Sequence, residues 1–438
     1  MRPAGRLQAA VEVLADILEH HQPAATALSD WGKRHRFAGS GDRAAIGTVV
    51  YDALRRRLSL AAQMGSDTPR ALALAAAPRA LGLSSEDVVK LADGSPHAPS
   101  PLTVDEQQSL ASGFPGDAPA HVAADVPEWL MPSFERAFGD RAVAEGQAMT
   151  QRAPVDLRAN ALKATRDKVL SALSRYGARA TDLSPCGVRL PPPEGAARAP
   201  HVEAEAAHGK GWFEVQDEGS QIAALLAGAR PRRQVLDLCA GAGGKTLAMA
   251  GVMENSGQIY AYDRDKVQLR PIFARLKRAG VRNAQVLDGG DQAALLALGP
   301  RFDVVLVDAP CSGSGTWRRK PDAKWRLRPD AFLKRREEQR DVLALASGLV
   351  KPGGRLCYVT CSVLPEENVD QAAWFKETYP QFAPLAYGEV WQEAIGSVPP
   401  SSADGLGETL LLTPGSHGTD GFFVAVFANR AGDAPAAG

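Results

Sequence analysis

The stretch Gln234-Val-Leu-Asp-Leu-Cys-Ala-Gly-Ala-Gly-Gly-Lys-Thr246 is an apolar run that breaks into a glycine-rich turn and then into a helical pattern. It reads as strand, tight loop, helix. Gly241, Gly243 and Gly244 lack a Cβ, so a ligand can come close to the backbone, and the helix that follows offers free N–H groups in its first turn. Two better-known glycine loops fail here. A phosphate-binding loop would need its first glycine at 239, where Cys239 stands, and a dinucleotide fingerprint starting at Gly241 would need a glycine at the position of Thr246. What remains is Asp237 closing the first strand, a short Gly-Ala-Gly-Gly turn, and Asp263 closing the next strand, placed to accept bonds from two ribose hydroxyls.

Nothing in this arrangement calls for a pyrophosphate, which suits a nucleoside ligand such as S-adenosyl-L-methionine. Around it, from Gln216, strands at 234–238, 258–263, 284–287, 303–308 and 355–361 alternate with helical segments, and a pair at 409–413 and 422–427 follows. That alternation predicts an α/β fold with a mainly parallel, Rossmann-like sheet covered on both faces.

Upstream, apolar residues recur at helical spacing (Leu7, Val11, Leu14, Ile17; Ile46, Val49, Val50, Leu54), and an Ala/Leu pattern over 66–91 continues as helix until repeated prolines interrupt it. Residues 1–145 are therefore expected to form an all-helical domain ending in an irregular segment. Residues 146–215 change to short mixed elements, a small α/β module or connector. The methyl-donor-type domain would cover 216–430, and the tail 431–438 would be disordered.

With 438 residues the chain should hold two or three domains. Net charge is zero, so a nucleic-acid surface must come from local clustering. Five cysteines without paired spacing argue against a disulfide framework and for a reducing cytoplasm, and the histidines form no ligand-like cluster, so no metal is expected. No signal peptide is visible and no run reaches the ~18 apolar residues of a membrane helix. A soluble protein acting as a monomer, with no membrane partner, is expected.

Ligands of open α/β sheets sit outside the carboxyl ends of the strands. Two such ends carry cysteine: Phe302-Asp-Val-Val-Leu-Val-Asp-Ala-Pro-Cys311 and Arg355-Leu-Cys-Tyr-Val-Thr-Cys361. One cysteine at a strand end is more often packing than nucleophile. Two at converging ends beside a nucleoside loop reverse that weighting. A helix expected to begin near Pro365 would place its N-terminal dipole by Cys361 and favour a thiolate there. The chemistry that needs this pair is methylation at C5 of cytosine: a thiolate adds at C6, C5 becomes nucleophilic, and a second acid/base group assists release. Asp308 can bond the cytosine edge or the reactive end of the cofactor.

Here the chain resembles the RsmB/Sun family of S-adenosylmethionine-dependent RNA (cytosine-5) methyltransferases. The resemblance rests on Val215-Gln-Asp-Glu-Gly-Ser-Gln221, Asp237 to Thr246, Asp308-Ala-Pro-Cys-Ser-Gly-Ser-Gly315, Arg318-Arg-Lys-Pro-Asp-Ala-Lys-Trp325 and Thr360-Cys-Ser-Val-Leu-Pro-Glu-Glu-Asn368. It implies a class I methyltransferase fold, with Cys361 as nucleophile and Cys311 assisting product release. It also implies a cofactor site lined by Cys239, Ala240, Gly241, Ala242, Gly243, Gly244, Lys245, Asp263, Asp288 and Asp308, with Asp288 near the adenine and Asp291 an alternative. The substrate implied is RNA, 16S rRNA by family analogy. The family's usual Ala-Ala-Pro before Gly-Gly-Lys-Thr is replaced here by Ala240-Gly-Ala242, which keeps the turn small. The helical domain resembles a NusB-type RNA-binding fold, and the 150–215 module resembles the family's small RNA-binding extension.

Between Arg318 and Arg340 lie ten basic and four acidic residues, with Trp317 and Trp325 alongside. Arg318, Arg319, Lys320, Lys324 and Trp325 are read as an RNA contact, and Lys334 to Arg340 as a solvated helix face. Three other readings compete: methyl transfer to an exocyclic amine, which needs no thiol; a noncatalytic RNA-binding assembly factor that kept the fold; and a tRNA instead of an rRNA substrate.

Overall fold

The computed structural model describes residues 1–193 and 195–431, so the expected disorder of the tail falls almost wholly outside the described residues. The chain divides into two compact units, one made of Met1–Ala153, Pro192–Ala199 and Thr316–Leu327, the other of the remainder. The helical unit thus runs past the expected boundary at 145 and takes in two later segments that the sequence placed elsewhere.

In the helical unit, Pro69–Leu81 is buried almost all round through Leu72, Ala73, Leu74, Ala76 and Ala77, which marks a central helix. Pro3–His20 and Ser40–Arg55 pack on it with stripes of Leu7, Val13, Leu14 and Ile17, and of Ile46, Val49, Val50 and Leu54. The single helix expected over 66–91 is two, because Gly82 takes a left-handed turn and Ser84 starts Ser85–Leu91 with a capping box closed by Asp87. The proline-rich stretch is more regular than expected and carries helices at Val104–Ser112, Met131–Phe138 and Ala142–Ala148. Prolines at the first turns of helices are compatible with them, since that N–H has no partner to lose.

The second unit holds two sheets. A small antiparallel sheet of β1 (Val155–Ala159), β2 (Arg179–Ala180), β3 (Gly187–Leu190) and β4 (Phe213–Val215) has the order β2-β3-β1-β4. A bidentate ion pair between Arg189 and Asp156 is buried at its centre, where each charge has its partner.

The large sheet contains β5 (Gln234–Asp237), β6 (Gln258–Ala261), β7 (Ala284–Val286), β8 (Phe302–Asp308), β9 (Val350–Thr360), β10 (Phe382–Leu385), β11 (Leu410–Leu412) and β12 (Phe422–Asn429). Its order is β10-β12-β9-β8-β5-β6-β7, with β11 also paired to β12. The pairs β9-β8, β8-β5, β5-β6 and β6-β7 are parallel, whereas β12 runs antiparallel to β9, β10 and β11. The expected Rossmann-like α/β sheet is present, with β10 as an unforeseen edge strand. The order changes direction between β5 and β8, so their carboxyl ends flank a crevice. The strands β5, β8 and β9 each carry a buried apolar run (Val235 and Leu236, Val304 to Val307, Leu356 to Val359), as expected where both faces are covered. Among the described residues no helix is long and apolar enough to cross a membrane.

Candidate active site

The two cysteine-bearing strand ends meet. Cys311 follows β8, Cys361 follows β9, and their sulfur atoms lie 3.4 Å apart. Parallel pairing of β8 with β9, Asp308 opposite Val359, sets this register, and Gly315 donates its N–H to the Cys361 carbonyl across 3.0 Å. The hydrogen bond with Cys361, then burial, raises the Cys311 thiol well above its ordinary range, and the nearby Glu367 adds to the rise. Cys311 therefore holds its proton and can give it to the sulfur beside it. Cys357 is fully buried within β9, with burial pushing its thiol to about 12, and Cys239 is likewise raised by burial. Cys357 is a packing group, whereas Cys239 is half-buried in the glycine loop.

Glu367, which the sequence analysis did not single out, ties the two loops together. It is fully buried and accepts from the Ser312 N–H at 2.7 Å, the Ser312 hydroxyl at 2.5 Å and Gln339 Nε2 at 3.2 Å. Burial raises its carboxyl despite those donors. Its backbone lies in a short 3₁₀ turn, Pro365–Glu367, and the α-helix proper begins only at Val369. The expected helix at Pro365 is thus displaced. Asn368 satisfies the turn by donating to the Ser362 carbonyl and accepting from Thr360.

Asp308 closes β8 with Lys245, whose Nζ donates to its Oδ2 at 2.6 Å. Lys245 is only 7% exposed, and although burial works against its charge, the Asp308 contact outweighs it and holds the ammonium above its usual range. Lys245, expected only in the cofactor loop, is therefore the partner that fixes Asp308. The GKT triplet carries this lysine without being a phosphate loop.

Asp237, at the end of β5, is fully buried and accepts from Thr246 Oγ1 at 2.6 Å through Oδ2, while Oδ1 has no partner. Burial pushes its carboxyl up to about 7. Asp263 accepts from the N–H groups of Gly241 and Asp265, at 2.9 and 2.8 Å. The turn between them depends on glycine. Gly243 has φ +82°, and a Cβ there would lie 2.4 Å from Ile272, whereas the space over Gly241 is open. The acidic side chains of Asp237, Asp263 and Asp308 act on one another around this crevice, which suits a nucleoside that itself carries positive charge. Beyond β7, Asp288 is exposed and pairs with Lys266 at 3.0 Å. Asp291 instead caps a short helix by accepting from the Ala294 N–H, which commits it to structure.

The basic run after Cys311 departs from expectation. Arg318 and Lys324 are 5% and 1% exposed, and Lys324 donates to the carbonyls of Arg55 and Asp125. Trp325 donates to the Leu54 carbonyl and packs on the helical core. Arg318 and Lys324 are internal to the helical unit and Trp325 is half-buried against it, which corrects their reading as an RNA surface. Arg319 is half-buried, and Lys320 is exposed.

Residues 224–428 match the family profile described as 16S rRNA methyltransferase RsmB/F, and residues 126–195 match the ferredoxin-like domain of the RsmF/B type. The chain belongs to the RsmB/F family. Among its relatives, a probable ribosomal RNA small subunit methyltransferase B from Synechocystis is 32% identical over 306 residues, 68% of this chain and 66% of that one. A ribosomal RNA small subunit methyltransferase B from Sodalis glossinidius is 34% identical over 283 residues, 64% of each chain. The matched region spans just under two thirds of the length of these relatives. The crystal structure of PH0851 superposes with a TM-score of 0.73 at 25% identity, covering 98% of this chain and 99% of that one. NSun6 from Pyrococcus horikoshii shares the fold at a TM-score of 0.61 and 20% identity, over 70% of this chain and 98% of its own.

Proposed function

We propose that this chain is an RNA cytosine-5 methyltransferase that uses S-adenosyl-L-methionine and acts on 16S rRNA. The observation that carries the reading is the pair of sulfurs 3.4 Å apart at the ends of β8 and β9, beside the Asp308–Lys245 pair. Methyl transfer to an exocyclic amine has no use for two thiols, and C5 methylation does.

Bound S-adenosylmethionine would supply an electrophilic methyl group. Its ammonium would find the unpartnered Oδ1 of Asp237, its ribose would lie over Gly241 against Asp263, and its adenine would lie near Asp288. Cys361 adds through Sγ to C6 of the cytosine, and the C5–C6 pair of electrons shifts to C5, which takes the methyl. Loss of the C5 proton then returns the pair to the ring and expels the Cys361 sulfur. Cys311, hydrogen-bonded to that sulfur, gives its proton to Sγ of Cys361 as it departs and, as the thiolate so formed, takes the C5 proton. Asp308, held by Lys245, accepts a hydrogen bond from the cytosine edge. The base must be unstacked to reach the sulfur, so a loop or bulge is a better target than a continuous duplex.

Mass spectrometry of rRNA from a deletion strain should show one cytosine losing its methyl group. Cys361→Ala should abolish turnover, and Cys311→Ala should leave a protein–RNA adduct on a denaturing gel. Persistent methylation by Cys361→Ala would remove the nucleophile from the proposal.

A further inference from the structure

The helical unit contains a cavity of about 400 Å³ that the methyl-transfer chemistry does not use. Its apolar wall includes Trp31 and Ile46, both almost fully buried, and its rim carries Arg43, Arg55, Arg152 and Arg198. Among the described residues that line it, none is aspartate or glutamate. Two described carboxylates that act on the lining residues Arg55 and Tyr51 are engaged elsewhere: Asp52 accepts from Arg56, and Asp322 pairs with Arg326. Among the described residues, the hydrogen bonds of three rim arginines go to backbone carbonyls, Arg43 to that of Ala38, Arg55 to that of Arg318, and Arg152 to those of Pro193, Gly195 and Ala197. Burial and then the neighbouring arginines, against the pull of Asp52, leave the Arg55 guanidinium near 10. Like charges gathered at a half-buried mouth repel one another, and an anion seated between them would relieve that repulsion.

We infer that this cavity binds a nucleoside phosphate, with the phosphate between Arg43, Arg55 and Arg152 and the base against the apolar wall by Trp31. The volume falls within the roughly 300–1,000 Å³ of small-ligand sites. Planar guanidiniums match phosphate oxygens in pairs, and every base offers a π-face to an apolar wall. The ligand has two possible sources, a free mononucleotide or one nucleotide of a bound RNA strand.

The test uses the full chain without a methyl donor, so its result does not depend on catalysis. Cytidine monophosphate is titrated by calorimetry and a single-stranded RNA dodecamer by fluorescence anisotropy. Arg43→Glu reverses one rim charge on an exposed residue, and Ala44→Trp fills the cavity while leaving every charge in place. Circular dichroism confirms that both variants fold. We expect both to weaken binding at least tenfold: of the mononucleotide and the RNA if the source is free nucleotide, of the RNA alone if the source is the strand. Unchanged affinity of Ala44→Trp for both probes would overturn the inference, since a loss confined to Arg43→Glu reports only general charge.

Discussion

The carboxyl of Asp237 has one oxygen bonded to Thr246 and the other facing nothing, and burial holds it near 7. Its ordinary value is 3.8, so the folded protein binds a proton there that the unfolded chain has released. Unliganded stability should therefore fall as pH climbs from 3.8 towards 7. A cationic cofactor favours the carboxylate and must displace that proton. Affinity for S-adenosylmethionine is then expected to rise up to about tenfold per pH unit below 7 and to level off above it. Calorimetry from acid to neutral pH checks this, with Asp237→Asn as the control that should bind weakly with little slope. A flat wild-type profile would sever Asp237 from the cofactor. At this scale the sequence was informative about which side chains the strand ends bring together, as with Cys311 and Cys361. It was uninformative where a partner is distant in the chain, as Lys245 is from Asp308 and Glu367 from Ser312, because periodicity carries no information on such pairings.

The elements around the site show the same division. The parallel strands were legible because each is a short apolar run ending in a turn, whereas β10 contains Pro384 and so lacks the pattern of an interior strand. It lies at the sheet edge, where the missing donor is tolerated. Near the site two backbones come close together. The loop after β8 touches the residues before β12 at Gly315 and Gly421, which share a 2.8 Å hydrogen bond from Gly421 N–H to the Gly315 carbonyl. A Cβ on Gly315 would lie 2.3 Å from the Gly421 carbonyl oxygen, and neither backbone can swing away like a side chain. Gly315→Ala should therefore destabilise the protein by about 1–3 kcal/mol. Because the Gly315 N–H also holds the Cys361 carbonyl, the displacement should reach the proposed nucleophile and lower kcat more than it raises KM. Thermal melts and steady-state kinetics separate the two effects. A variant with wild-type kcat would mean that the loops adjust without moving Cys361.

At the scale of the molecule, the chain leaves the sheet-bearing unit after Gly315, contributes Thr316–Leu327 to the helical unit, and returns at Arg328. A basic, tryptophan-bearing run after Cys311 reads from sequence as a nucleic-acid surface. The fold instead spends its large side chains on packing: Trp317 is 1% exposed and stacks on Phe134 with ring centres 5.9 Å apart, and Trp325 covers the helical core. Lys324 pins the segment through two backbone carbonyls, even though burial pulls its ammonium down to about 8. Composition records charge and aromaticity but not which neighbour receives them, so this inversion could not be read from the chain. It makes the helical unit discontinuous in sequence. Each buried tryptophan removes roughly 150–250 Å² from water, about 4–6 kcal/mol at ~25 cal/mol per Å², and a whole domain retains only about 5–15 kcal/mol. A fragment of residues 1–153 would lack both rings and Lys324, exposing Phe134 and leaving the carbonyls of Leu54, Arg55 and Asp125 without these donors. It should keep helical far-ultraviolet dichroism yet melt without a cooperative transition and bind a hydrophobic dye, while the same residues in the full chain unfold cooperatively. A sharp melt of the fragment, at the temperature of the full chain, would show that the helical unit is complete without the segment that follows Cys311.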